Sequence, residues 1–119
     1  LLWIANHLNQ WTPEIQFVNR LLKKKMTQEE RNQLIKTSWE LHSRVETAYF
    51  NHPASKMDTD WLEKQRLLLA DMALHLLQTA MSPESIKLDR LRDNIHSILT
   101  ISDQFLPEVD LKRMTEELY

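Results

Sequence analysis

The chain of 119 residues reads as all-α, an antiparallel four-helix bundle in up-down-up-down order, and three observations predict it. Apolar residues recur at steps of three and four through most of the sequence, the period of a helix face and not of a strand. Prolines and polar capping residues divide that pattern into segments of about 20 to 25 residues, each about 30–37 Å long at 1.5 Å per residue. Glycine is absent, although about eight are expected at ordinary usage and a chance absence is on the order of 1 in 5,000. A chain without glycine has no cheap route to the positive φ of a tight hairpin.

The first helix places Leu1, Ile4, Leu8, Trp11, Ile15, Val18 and Leu22 on one face. The phase runs through Pro13, so either one long helix is kinked there or a new one starts with Thr12 as N-cap and Pro13 in its first turn. Arg20, Lys23, Lys24 and Lys25 then lie at the C-terminal end, where cations complement the helix dipole. Thr27-Gln28-Glu29-Glu30 is a capping box that opens the second helix. Its stripe is Leu34, Ser38, Leu41, Val45 and Ala48, with Ile35, Trp39 and Tyr49 on the flank, and Pro53 ends it. Residues 51 to 58 form the longest loop. A second capping box, Asp60 with Glu63, starts a third helix over 60–81. Ser82-Pro83-Glu84 has the order of cap, first-turn proline and first-turn acid, which predicts a fourth helix after almost no connection. That helix carries Leu88, Leu91, Ile95, Ile98 and Leu99 on one side. Pro107 interrupts it, and Val109, Leu111, Met114 and Leu118 predict a short fifth helix.

The third helix is the most informative. At 100° per residue Asp71, His75 and Gln78 fall within an arc of about 60°, and apart from Thr79 apolar side chains occupy the remaining roughly 260°. A bundle helix ordinarily buries an apolar stripe a little over 100° wide, so the excess calls for further helices of this chain or for another molecule. The polar arc reads either as the solvent face of an otherwise buried helix or as a polar spot in a groove. In the second case a carboxylate beside a histidine favours imidazolium and suits a pH sensor or a cationic ligand. The interface candidates are Leu67, Leu68, Ala70, Leu74, Leu77 and Met81 on this helix, with Trp3 and Trp61 as aromatic anchors. The alanines Ala70, Ala73 and Ala80 permit close approach of a neighbour.

Composition excludes several classes of function. With no glycine there is no phosphate loop, dinucleotide fingerprint or nucleophile elbow, and with no cysteine there is no disulfide, thiolate metal site or cysteine nucleophile. The net charge of −2 supplies no field for nucleic acid or an anionic membrane, and no window has the apolar length of a membrane span. Bundles that hold carboxylate-bridged metal pairs use Glu-x-x-His motifs, which are missing here. The nearest pieces are Asp93 with His96, Asp71 with His75 and His42 with Glu46, and no metal, cofactor or catalytic residue is expected. The stretch from Met26 to Leu41 resembles the first helix of globins, but the remainder is too short for that fold.

The resulting expectation is one helical domain, whole or a fragment of a longer chain, that works without catalysis through protein contact. It would serve as an adaptor, assembly subunit or regulator and self-associate through 60–81. The alternatives are an extracytoplasmic helical sensor domain of a membrane receptor, suggested by Leu1-Leu2-Trp3-Ile4, and an RNA-cleaving or RNA-binding bundle using Arg90 and His96. The first residue is Leu1, so targeting is not read from this sequence. The compartment stays open, with a lean to the cytoplasm.

Overall fold

A computed structural model of the chain describes residues 13–22 and 25–119, without the side chains of residues 19, 21 and 22. All regular structure among the described residues is helical. The long elements are α1 (Pro13–Leu22), α2 (Gln28–Asn51), α3 (Trp61–Met81) and α4 (Leu88–Ser102). A 3₁₀ turn (Pro107–Val109), the four-residue α5 (Leu111–Met114) and a last 3₁₀ turn (Thr115–Leu118) complete the chain. By their internal contacts the residues fall into two compact units, Leu1–Glu30 and Arg31–Tyr119.

In the first unit α1 is described from Pro13 to Leu22, with Glu14 near its start and Arg20 in its last turn. Whether a helix precedes it, and with that the kink, lies outside the described residues, as does Trp3. The Thr27 capping box forms as expected. The Glu30 amide donates to Thr27 Oγ1 at 3.0 Å and the Thr27 amide donates to Glu30 Oε1 at 3.3 Å.

In the second unit α2 and α3 run antiparallel. The Arg31 guanidinium donates to the carbonyls of Met81 and Ser82, both at 3.3 Å, at one end, and Lys64 Nζ sits 4.9 Å from the centre of the Tyr49 ring at the other. Helices α3 and α4 are antiparallel too, with Thr79 Oγ1 donating to Asn94 Oδ1 at 2.6 Å and Gln104 Nε2 donating to Gln65 Oε1 at 3.0 Å. The short C-terminal elements fold back on α4: the Lys112 amide donates to Asp103 Oδ1 at 3.1 Å, and the Tyr119 hydroxyl donates to Asp93.

Four expectations change. The inward line of α2 is Arg31, Ile35, Ser38, His42, Val45 and Tyr49, which keeps Ser38 and Val45 of the expected stripe but leaves its Leu34, Leu41 and Ala48 exposed, so the helix is rotated towards the Ile35 and Tyr49 flank. No side-chain cap forms at Asp60; Asp58 instead organises the loop, accepting the Ser55 amide on Oδ2 at 2.6 Å. Helix α4 starts at Leu88 and not at Pro83, because Ser82, at φ −55° and ψ 141°, ends α3 and leaves a real connection. The predicted fifth helix is broken at Asp110, whose φ of 58° and ψ of 48° are left-handed, a conformation that aspartate tolerates better than most residues.

The interior that results is unusually polar. Among the described residues the buried apolar side chains are Ala54 and Ile101, and the buried polar ones are Ser38, Gln65, Asp71 and Thr115. Polar groups leave water without large loss only when they are hydrogen-bonded. Ser38 Oγ donates to the Ile35 carbonyl at 2.6 Å and Thr115 Oγ1 to the Lys112 carbonyl at 2.6 Å. The amide nitrogens of Gln65 and Gln78 are buried without a protein partner.

Candidate functional site

The buried polar seam between α2 and α3 contains the candidate site. On α2, His42 and Glu46 are one helical turn apart, with His42 Nε2 3.0 Å from Glu46 Oε2. On α3, Asp71 and His75 are likewise one turn apart, with His75 Nε2 3.6 Å from Asp71 Oδ2. Antiparallel packing sets the two pairs against each other, and His42 Nδ1 hydrogen-bonds Asp71 Oδ1. Asp71 therefore turns one carboxylate oxygen to each imidazole. Its side chain is only 9% exposed, against 15% for His42 and 32% for His75.

Aromatic rings fix the imidazoles further. The His42 and His75 ring centres are 4.8 Å apart in an edge-to-face contact, and the Trp39 indole meets them edge-on at 5.4 and 6.3 Å. One potential ligand atom from each of His42, Asp71 and His75 lies within 4.8 Å of the others, so these three residues could hold a metal ion.

His75 also lines a groove of about 540 Å³ where α2, α3 and α4 approach the α3–α4 connection. Trp39 from α2, Gln78 and Thr79 from α3, and Lys87, Arg90 and Asn94 from the α4 side share its wall. The groove thus combines an indole, an imidazole, two cations, the two carboxylates of Glu84 and Asp93 and two amides, the kind of polar groups that can orient a ligand in a groove.

The polar arc Asp71, His75 and Gln78 is accordingly not the solvent face of α3. It faces α2 and the groove, and the opposite side of α3 looks outward: Ala70, Ala73 and Ala80 are exposed and Leu62 is 42% exposed. Of the interface candidates, Ala70 is exposed, and Leu67, Leu68, Leu74, Leu77 and Met81 are half-buried. Trp61 is half-buried and its Nε1 donates to Gln104 Oε1 at 2.9 Å. Arg90 and His96 are not brought together around one site: Arg90 lines the groove, whereas His96 packs its ring against Tyr119 at 5.6 Å.

Two of the three acid–histidine pairs visible in the sequence meet here, His42/Glu46 with Asp71/His75, while Asp93/His96 lies on α4. Trp39 and the groove residues Lys87 and Asn94 were not singled out as site residues by sequence reasoning. The missed signal is the spacing Arg31, Ile35, Ser38, His42, Val45, Tyr49, which has helical period but too little apolar character to be chosen as an inward face. No family model, curated protein or solved structure matches this chain. No described helix is long and apolar enough to cross a membrane.

Proposed function

We propose that this chain is a helical protein–protein interaction module that acts by contact and not by catalysis, as an adaptor, assembly subunit or regulator, and that it self-associates through the outward face of α3. The observation that carries the reading is the orientation of α3. From Leu67 to Met81 its only charged or titratable side chains are Asp71 and His75, and both are turned towards α2, so the opposite face offers small and apolar groups. Ala70, Ala73, Leu77 and Ala80 recur at helical spacing on it, and alanines allow two helix axes to come close. A second copy presents the same uncharged strip, which makes a two-fold pairing self-complementary.

The size of the contact argues that more than one helix takes part. A strip one helix wide is well short of the roughly 800 Å² per partner of a standard interface. The exposed α2 residues Leu34, Leu41 and Ala48 form a second line that a helix of a second copy would cover. Fully covering a leucine-sized side chain is worth about 1.5–3 kcal/mol, so each half-covered one contributes a part of that towards the cost of association.

Light scattering coupled to size-exclusion chromatography tests this. The expected result is a mass that rises from monomer to dimer with concentration, and an Ala73→Glu variant that keeps its helicity and stays monomeric. A wild-type chain that is monomeric at every concentration up to tens of micromolar contradicts self-association. The groove favours a second reading, a helical sensor domain that receives a small polar ligand beside His75 and Arg90. Hydrophobic segments flanking residues 1–119 in the parent gene would separate that reading from the first. The RNA reading draws no support from the separate settings of Arg90 and His96.

A further inference from the structure

We propose that His42, Asp71 and His75 bind a divalent transition-metal ion of the zinc class, with Glu46 as the outer carboxylate that orients His42. Two imidazole nitrogens and one carboxylate oxygen are a donor set that such ions prefer over magnesium or calcium, which take oxygen ligands. The spacing is close to what coordination needs. With bonds of about 2.0–2.2 Å, ligand atoms around a tetrahedral ion lie roughly 3.4 Å apart, and the three donors here already fall within 4.8 Å of one another. An ion would replace the hydrogen bond between His42 Nδ1 and Asp71 Oδ1, so that pair opens on binding while the His75 nitrogen, already 3.6 Å from Asp71 Oδ2, stays near coordination spacing.

The surroundings match a coordination site in three further respects. Asp71 is buried, and each of its oxygens faces one of the two imidazoles, so its charge is directed into the cluster and away from solvent. Glu46 sits at the remote nitrogen of His42, 3.0 Å from Nε2, which leaves Nδ1 as the nitrogen turned to the ion. A carboxylate in that position fixes the ring and raises its strength as a ligand. Finally, His75 forms part of the groove wall, which supplies both an entry path and room for a water as the remaining ligand. Charge also balances: a dication against the carboxylates of Asp71 and Glu46 with neutral imidazoles leaves the cluster with none in excess.

The inference is independent of self-association. The test uses the full chain, freed of metal by chelator and titrated with Co²⁺ and then Zn²⁺. One equivalent of Co²⁺ is expected to bind with the intense visible bands of four- or five-coordination, and Zn²⁺ to displace it. At a free Zn²⁺ concentration on the order of 100 times Kd the melting temperature should rise by about 10 °C. His42→Ala and His75→Ala should each abolish the bands, Glu46→Gln should weaken binding about 10- to 100-fold, and His96→Ala should leave it unchanged. If His42→Ala fails to fold, His75→Ala decides, since that ring is a third exposed. The proposal is overturned by absence of saturable binding to the wild type, by the weak bands of ions held only by water and carboxylates, or by binding that survives His75→Ala in a folded chain.

Discussion

The Tyr119 hydroxyl donates a hydrogen bond to the Asp93 carboxylate, with the Arg92 guanidinium 5.9 Å from the centre of its ring. That hydrogen bond, then loss of hydration, then repulsion by the Asp93 charge hold the phenol above its ordinary value near 10, and Arg92 opposes them weakly. A group raised in the folded state adds stability that is whole below its unfolded value and lost as the pH climbs through the folded one. Docking of the last turn on α4 should therefore persist to about pH 10 and loosen above it. Ultraviolet absorbance separates the two tyrosines by comparison with a Tyr49→Phe variant. Asp93→Asn should bring the Tyr119 transition down, and a transition at the ordinary value that ignores this substitution contradicts the assignment.

The elements show what can be read locally and what cannot. The start of α2 was legible because a capping box involves four consecutive residues and nothing else. Thr27→Ala should cost about 0.5–2 kcal/mol of stability, measured by urea unfolding, and an unchanged midpoint would show that the box is idle in solution. Asp60 with Glu63 has the same spelling and forms no side-chain cap, since the Trp61 amide donates to the Asp58 carbonyl and Glu63 pairs with Arg66 at 3.0 Å. Ser82-Pro83-Glu84 likewise reads as a helix start, yet the Ser82 carbonyl accepts Arg31 from α2, a contact between residues far apart in sequence. The face of α2 was misplaced for a related reason. Apolar periodicity selects Leu34, Ser38, Leu41, Val45 and Ala48; Ser38 and Val45 do lie inward, but the other three are exposed because the observed face is chosen by partners on and just after α3: Met81 and Ser82 for Arg31, Asp71 for His42, and Lys64 for Tyr49.

At the scale of the molecule, a polar seam and an apolar exterior follow from the same rotation. Turning Asp71 and His75 towards α2 assembles the candidate site, and it necessarily turns Ala70, Ala73 and Ala80 away from it. The excess of apolar surface on α3 was legible from composition around the helix, but its direction was not, because periodicity assigns a polar arc to solvent unless a complementary arc exists on another helix. His42 with Glu46 is that complement; the pair can be read in the sequence, but that it meets Asp71 and His75 emerges only when α2 and α3 are set antiparallel.

The orientation of α3 can be read directly because the chain has no cysteine, so an introduced thiol reports its own position. Ala70→Cys and Asp71→Cys are adjacent and 100° apart on the helix. In dilute solution, with helicity matching the wild type, Ala70→Cys should be labelled by a thiol reagent at close to the rate of the unfolded chain, and its labelling should slow as concentration rises. Asp71→Cys should be protected at every concentration. Equal labelling of both positions, or protection of Ala70→Cys in dilute monomer with Asp71→Cys open, would contradict the account.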